Sequence, residues 1–209
     1  MVSLPVYDRT GAEVGKFEID PTELAPSINK QLLHDVVVMY QANQRQGSAK
    51  AKSRAEVAFT TKKMYRQKGT GNARAGARAS NVRRGGGRAF PRRPRDFSYR
   101  LPKKAIRLAT RMAVAGKLND GEITLIDDLA FDAPKTSEMA TILKNLGIAK
   151  DSLLVTTDGY NVNVYKSARN IEGVSVMPVA DINALVVLKP KRVLMTKAAL
   201  ESFRGKAKA

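Results

Sequence analysis

The chain contains no cysteine and only one histidine, His34, among 209 residues. Disulfide frameworks and thiolate metal centres are excluded, and the missing thiols fit a reducing compartment. No apolar run approaches the roughly 20 residues needed to cross a bilayer. The opening residues, Met1–Asp8, lack the charged and long apolar regions of a secretory signal, so a soluble, cytosolic protein is expected. Acids are the most telling shortage. Between Arg45 and Arg107 stand only Glu56 and Asp96, against twenty Lys or Arg; the rest of the chain holds seventeen residues of each sign. The entire net charge of +18 therefore falls in one internal segment. A neutral body with one strongly basic stretch is suited to a polyanion. Large aliphatic residues are missing there too: between Arg66 and Ala89 the only one is Val82. Without an apolar stripe to interleave with the cations, an anionic membrane surface is a poor partner and nucleic acid a good one.

What is present outside that stretch is an ordinary core. Hydrophobic residues make up 43% of the chain, enough for one domain plus an extra element. Ser3–Ile19 reads as two short strands around a turn region at Gly11–Gly15. A helix is predicted to open at Pro26-Ser27, with Ser27 as cap, carrying Ile28, Leu32, Val36, Met39 and Tyr40 on one face. It should stop near Gln46-Gly47, with Arg45 at its negative end. Pro102 leads a second helix through Ile106, Ala109, Met112 and Leu118, broken at Asn119-Asp120-Gly121. Strand-like runs follow at Ile123–Ile126, Leu153–Thr156, Val174–Met177 and Val193–Met195. Helical stretches separate them: one around Met139–Leu146, then Val162–Ile171 and Ile182–Leu188, with Lys197–Phe203 closing the chain. Strands alternating with helices at this spacing predict an α/β fold, a mainly parallel central sheet flanked by helices. Residues 1–47 and 101–209 are expected to form that single globular domain, and 48–100 an inserted extended loop.

The inserted segment has neither helical nor strand periodicity, and residues 66–89 contain six glycines. So long and cationic a stretch, poor in large apolar groups, cannot offset its ordering entropy by burial, and alone it should be mobile. A structureless insertion of this length in a compact domain points to function. Its residue types suit nucleic acid. Arg forks grip phosphate oxygens bidentately and stack on bases, and Lys adds a point charge. Gly permits close backbone approach to nucleic acid and positive φ. Tyr65, Phe90, Phe97 and Tyr99 are candidates to stack on unpaired bases, while Pro91, Pro94 and Pro102 stiffen the return arm. Doubled back, each arm of about 25 residues could reach at most roughly 80 Å. On composition alone, a solvated basic loop with loose nonspecific affinity is the competing reading.

The run Arg66-Gln-Lys-Gly-Thr-Gly-Asn-Ala-Arg74 is long and specific. Together with Gly85-Gly-Gly87, Pro94-Arg-Asp96 and Lys103-Lys104, it resembles the bacterial form of the large-subunit ribosomal protein four family. The likeness extends to Leu32–Tyr40, Ala133-Pro-Lys-Thr136 and Val193-Leu-Met-Thr196. The resemblance implies a non-enzymatic structural constituent of the large ribosomal subunit, needing no cofactor. Its implied partners are large-subunit ribosomal RNA, neighbouring ribosomal proteins and, near the loop tip, the nascent peptide in the exit tunnel; some members also bind their own messenger RNA. Carried over, it makes Lys62, Lys63, Arg66, Lys68, Arg74, Arg78, Arg83, Arg84 and Arg88 RNA contacts of the loop. Arg92, Arg93, Arg95, Lys103 and Lys104 would hold RNA on the return arm and at the loop base. Residues near Lys62–Arg66 and Arg84–Arg88 are its candidates for the tunnel-facing tip.

Other sites carry less. Gly71-Asn-Ala-Arg-Ala-Gly76 has the glycine spacing of a phosphate loop, but Ala77-Arg78 replaces the required Lys-Ser or Lys-Thr and no apolar strand precedes it. Thr156–Gly159 and Asp127-Asp128 lie at predicted strand ends, where open α/β folds bind ligands, yet no glycine fingerprint accompanies them, and a turn and a solvated edge are expected. His34, beside Asp35, suits a surface or structural role, and the methionines are scattered filler. An RNA-acting enzyme would need acids, a histidine or a cofactor loop in the body, and no convincing set exists. A sequence-reading regulator would need a recognition element, and none is evident.

Overall fold

Strict alternation of large apolar side chains along the strands sets the architecture. In the computed structural model, which describes residues 1–208, Val193 and Met195 of one strand enter one apolar cluster while Leu194 between them enters another. Leu154 likewise faces the first cluster, and its neighbours Leu153 and Val155 the second. A sheet buried on both faces needs helices on both sides. The strands are β1 (Val2–Tyr7), β2 (Glu13–Ile19), β3 (Ile123–Ile126), β4 (Leu153–Thr157), β5 (Val174–Pro178) and β6 (Arg192–Thr196). They form one sheet in the order β2-β1-β3-β6-β4-β5. Only β1 and β2 are antiparallel; every other neighbouring pair is parallel. The exposed edge β2 carries Glu13, Lys16 and Glu18, charges that discourage a further strand from pairing there.

Among the described residues seven helices accompany the sheet: α1 (Pro21–Leu24), α2 (Lys30–Asn43), α3 (Lys103–Asn119), α4 (Thr136–Asn145), α5 (Val162–Ala168), α6 (Ala184–Leu188) and α7 (Lys197–Lys208). The first cluster joins residues of α1, α2, α3, α6 and α7 to one face of the sheet, and the second joins α4 and α5 to the other. This is the α/β arrangement that the alternation of elements predicts.

Several local expectations are corrected. The first long helix does not open at Pro26-Ser27. It begins at Lys30, where the Asn29 side chain accepts the Leu32 N–H at 3.1 Å. Asn caps as well as Ser, and position 29 lies three residues before the apolar repeat begins at Leu32. Ile28 is consequently outside the helix and 41% exposed. A short helix, α1, precedes it unannounced, capped by the Asp20 carboxylate on the Thr22 N–H. The long helix that begins at Lys30 ends at Asn43, short of Gly47. The tight turn between β1 and β2 lies at Asp8–Ala12, and Gly15 falls inside β2.

One buried cation ties the body together. Lys117, in the last turn of α3, donates to the carbonyls of Pro190 (2.9 Å) and Lys191 (3.0 Å) and pairs with Glu122. It satisfies the carbonyls of the chain entering β6, groups that burial would otherwise leave unpaired.

The described chain divides into two compact units. Ala42–Tyr99 form one, and the sheet with its helices the other. No named helix or strand lies between Asn43 and Lys103.

Candidate nucleic-acid interface

Residues 42–99 obtain their shape from turns and cross-arm hydrogen bonds. Proceeding outward, Arg95 N–H donates to Gly47 C=O (3.2 Å), Ala51 N–H to Arg92 C=O (2.9 Å), and Arg88 N–H to Lys52 C=O (2.9 Å). The two arms therefore run side by side from Gly47 to Lys52 and from Arg88 to Arg95. Beyond them the chain makes two smaller lobes. In one, Met64 N–H reaches Gly76 C=O at 3.1 Å and the Tyr65 hydroxyl donates to Ala73 C=O. In the other, Gly87 N–H reaches Ala79 C=O at 3.0 Å. Lys62–Arg66 thus belong to the first lobe, while Arg83 and Arg84 lie in the second.

Small residues make this possible. Ala75, Ala79 and Gly87 are the buried residues of the segment. A Cβ on Gly87 would lie 2.2 Å from the Arg54 nitrogen, and one on Gly47 (φ +67°) 2.0 Å from the Arg95 oxygen. The sequence reading gave such glycines to close approach by nucleic acid. At Gly87, within that run, and at Gly47, read from the sequence as a helix stop, the near neighbour is the protein's own backbone.

The charge is left outward. All twenty Lys and Arg of residues 45–107 are exposed. Among the described residues, none of them forms an ion pair. The two acids are used locally. Glu56 accepts from the Ser53 N–H (2.9 Å) and hydroxyl (3.2 Å), and Asp96 from the Ser98 N–H (2.8 Å) and hydroxyl (2.7 Å). Those bonds hold both carboxyls below their ordinary pKa, with the Lys50 and Arg93 charges helping at Glu56.

The candidates drawn from the sequence divide by position. Lys62, Lys63, Arg66, Lys68 and Arg74 lie in or beside the first lobe. Lys63 donates to Gln67 (2.7 Å) and Arg66 to Gly69 C=O (2.8 Å). Arg78 lies 5.4 Å over the Phe59 ring. Arg83, Arg84 and Arg88 follow in and below the second lobe, and Arg92, Arg93 and Arg95 line the paired return arm. Lys103 and Lys104 belong to the other unit, in the first turn of α3. Two cations and no acid at a helix N-terminus oppose the helix dipole. Pro102 supplies no side-chain cap, so the first-turn N–H groups and both lysines remain open to an anion.

The aromatic candidates are not equivalent. Phe90 is 96% exposed and free to stack. Phe97 is occupied, with the Arg45 guanidinium 3.9 Å and that of Arg95 4.3 Å from its ring centroid. Arg45 thus stacks on a ring near the arm's base, a role its position after α2 did not suggest. Tyr65 is partly buried and tethered through its hydroxyl. The sequence reading also passed over Arg45, Lys50, Lys52, Arg54, Arg100 and Arg107, equally exposed members of the same charge run; the run itself was the signal for them.

The body offers one hollow of note, about 460 Å³, at the carboxyl ends of β3, β4 and β6, lined in part by Asp127, Asp128, Thr157, Asp158 and Asn161. Arg9 pairs with Asp128 at 3.6 Å, and the Ser202 hydroxyl donates to Asp158. Among the described residues, no group of three or more His, Cys, Asp or Glu could hold a metal ion. His34 is exposed on α2. No described helix is long and apolar enough to cross a membrane.

Comparison with known proteins agrees over nearly the full length. The model of the Ribosomal protein L4/L1 family matches residues 17–206. The chain is 59% identical over 204 residues to the large ribosomal subunit protein uL4 of Rhodopirellula baltica, covering 98% of this chain and 92% of that protein. Against the uL4 proteins of Carboxydothermus hydrogenoformans and Symbiobacterium thermophilum the identities are 44% and 43% over 200 residues. These cover 96% of this chain and 97% and 96% of theirs.

Proposed function

Since the chain belongs to the Ribosomal protein L4/L1 family, a family of structural rather than catalytic proteins, we propose that residues 42–99 are its ribosomal-RNA-binding arm within the large subunit. One observation carries the reading: sixteen exposed cations in that segment, none ion-paired with an acid among the described residues. Such an array binds by displacing the counterions condensed on RNA phosphates, while an A-form or looped RNA supplies the matching shape. Lys62, Lys63, Arg66, Lys68, Arg74, Arg78, Arg83 and Arg84 engage RNA from the two lobes. Arg88, Arg92, Arg93 and Arg95 do so along the paired arms, and Lys103 and Lys104 clamp a phosphate at the start of α3.

The lobes, held by few hydrogen bonds, gain order on RNA. Residues around Lys62–Arg66 and Arg84–Arg88 are the part that lines the nascent-peptide tunnel. By ordering RNA around itself the arm supports subunit assembly. Binding of the protein's own messenger would draw on the same cations and so compete with ribosomal RNA.

Ser53 and Arg88 are bridge partners, so residues 54–87 can be replaced by a short Gly-Ser link without opening the paired arms. The body should stay folded, because its core lies elsewhere and loop length affects stability only weakly. In filter-binding titrations against large-subunit ribosomal RNA, the deletion removes nine cations. The slope of log affinity against log salt should fall by roughly 0.7–0.9 for each lost phosphate contact. An unchanged slope would falsify the arm as the principal contact surface.

A further inference from the structure

Gly47, Ala49, Arg92, Arg93, Arg95 and Phe97 enclose a hollow of about 420 Å³ on the paired arms. Its size falls in the range of small-ligand clefts. It is roughly fourteen times the ~30 Å³ share of one water, room for a nucleotide rather than for a phosphate alone. The walls are built, not incidental. The Arg95–Gly47 and Ala51–Arg92 backbone bonds fix the distance between the arms. Gly47, at φ +67°, allows an approach that any side chain would block at the Arg95 oxygen.

The chemistry of the lining is equally specific. Three arginines line one cavity, and among the described residues none of their guanidiniums donates to a protein oxygen or pairs with an acid. Glu56 influences Arg93 only through space, its Oε2 already engaged by Ser53. Arg95 lies over the Phe97 ring. Stacking fixes a guanidinium while leaving the N–H fork in its own plane free for phosphate oxygens. Ala49 and the Phe97 ring supply an apolar wall beside this charge. A phosphate joined to a flat apolar group matches all of these features together.

We propose that this hollow seats one nucleotide turned out of an unpaired RNA segment, its phosphate held by Arg92, Arg93 and Arg95 and its base set against Ala49 and the edge of the Phe97 ring, whose faces Arg45 and Arg95 cover. The inference rests on the arm's being an RNA-binding element, and adds a discrete site and a ligand class to it. Single-stranded and looped RNA presents such bases to aromatic and guanidinium surfaces.

The full-length protein is titrated with adenosine 5′-monophosphate, uridine 5′-monophosphate, inorganic phosphate and uridine, following the Gly47 and Arg95 amides and the Phe97 ring by NMR. The monophosphates should shift these signals saturably, with inorganic phosphate, which lacks the base, and uridine, which lacks the charge, each at least about tenfold weaker. Ala49→Leu fills the hollow and removes no charge. It should abolish the monophosphate shifts and weaken binding of large-subunit ribosomal RNA about tenfold, with an unaltered salt slope. Arg93→Gln should weaken the monophosphates too, but with loss of roughly one phosphate contact from the slope. Retained protection of the Ala51 and Arg88 amides in both variants shows that the arms still pair; if Ala49→Leu loses it, Arg93→Gln alone decides. Equal response to inorganic phosphate, or full RNA affinity in the filled variant with its arms intact, overturns the proposal. Failure of the broader reading looks different: deletion of residues 54–87 would leave the salt slope unchanged, whatever the hollow binds.

Discussion

Phe90 and Phe97 are seven residues apart on one arm, yet their surroundings give them opposite roles. Phe90 touches almost nothing and is 96% exposed. Phe90→Ala should leave the fold untouched and cost about 1–3 kcal/mol of RNA affinity if the ring stacks on a base, read by binding titrations beside a denaturation curve. Phe97→Ala would instead release the Arg45 and Arg95 guanidiniums and loosen the arm's base in the free protein. Gly87→Ala tests the backbone crossing. With a Cβ forced to 2.2 Å from the Arg54 nitrogen, the second lobe must open. Amide exchange at Gly87 and Arg88 should accelerate while the melting of the body holds constant. Lys117→Met tests the body. Two carbonyls lose their donor, at about 1–3 kcal/mol for each group left unsatisfied, visible as a lower denaturant midpoint with no change in salt-dependent RNA binding.

The elements differ in how far their sequences announce them. β3, β4, β5 and β6 are short, largely apolar runs bounded by breakers, and their positions emerge within a residue or two of expectation; for β3, β4 and β6 burial on both faces leaves little polar alternative, while the edge strand β5 is only partly buried. Strand order did not emerge: that β6 inserts between β3 and β4 depends on which helices cross which face, and no single run of residues records it. The start of α2 was misplaced because Ser27 and Asn29 are both good caps and only packing chooses between them. The inserted arm was legible as charge and as lack of periodicity. Its internal geometry was not, since turns built from Gly and Ala leave no pattern, and the hollow between Ala49 and Arg93 brings together residues more than forty positions apart.

Carboxylates link these elements to pH. Asp20, accepting the Thr22 N–H, and Asp151, bonded to Lys191 (2.9 Å) and Arg192 (2.8 Å), both have pKa values held below the ordinary aspartate range. A depressed folded pKa contributes stability that is present above the unfolded value, near 4, and is lost as pH falls through the folded one. Glu56 and Asp96 obey the same sign in the arm. Acidification below about pH 4 should therefore weaken both units. Asp151→Asn should flatten that dependence for the body alone, as followed by chemical denaturation across the acid range.

Taken together, the molecule separates two tasks that usually share a surface. The sheet and its helices come close to internal balance, with twenty-one Lys or Arg against seventeen acids outside residues 42–99. The arm, residues 42–99, carries most of the excess, sixteen Lys or Arg against two acids, and pairs none of it among the described residues. Raising salt should therefore weaken RNA binding steeply while scarcely altering the stability of the body, since exposed ion pairs contribute little. Parallel salt titrations of binding and of unfolding compare the two directly.

The bridge between Ser53 and Arg88 has a consequence for how such a protein can change. Everything beyond that seam enters and leaves the chain at adjacent points, so insertions or deletions there never reach the sheet. Reach can be lengthened, shortened or redecorated as the surrounding nucleotides drift, while the anchoring fold inherits none of the disturbance.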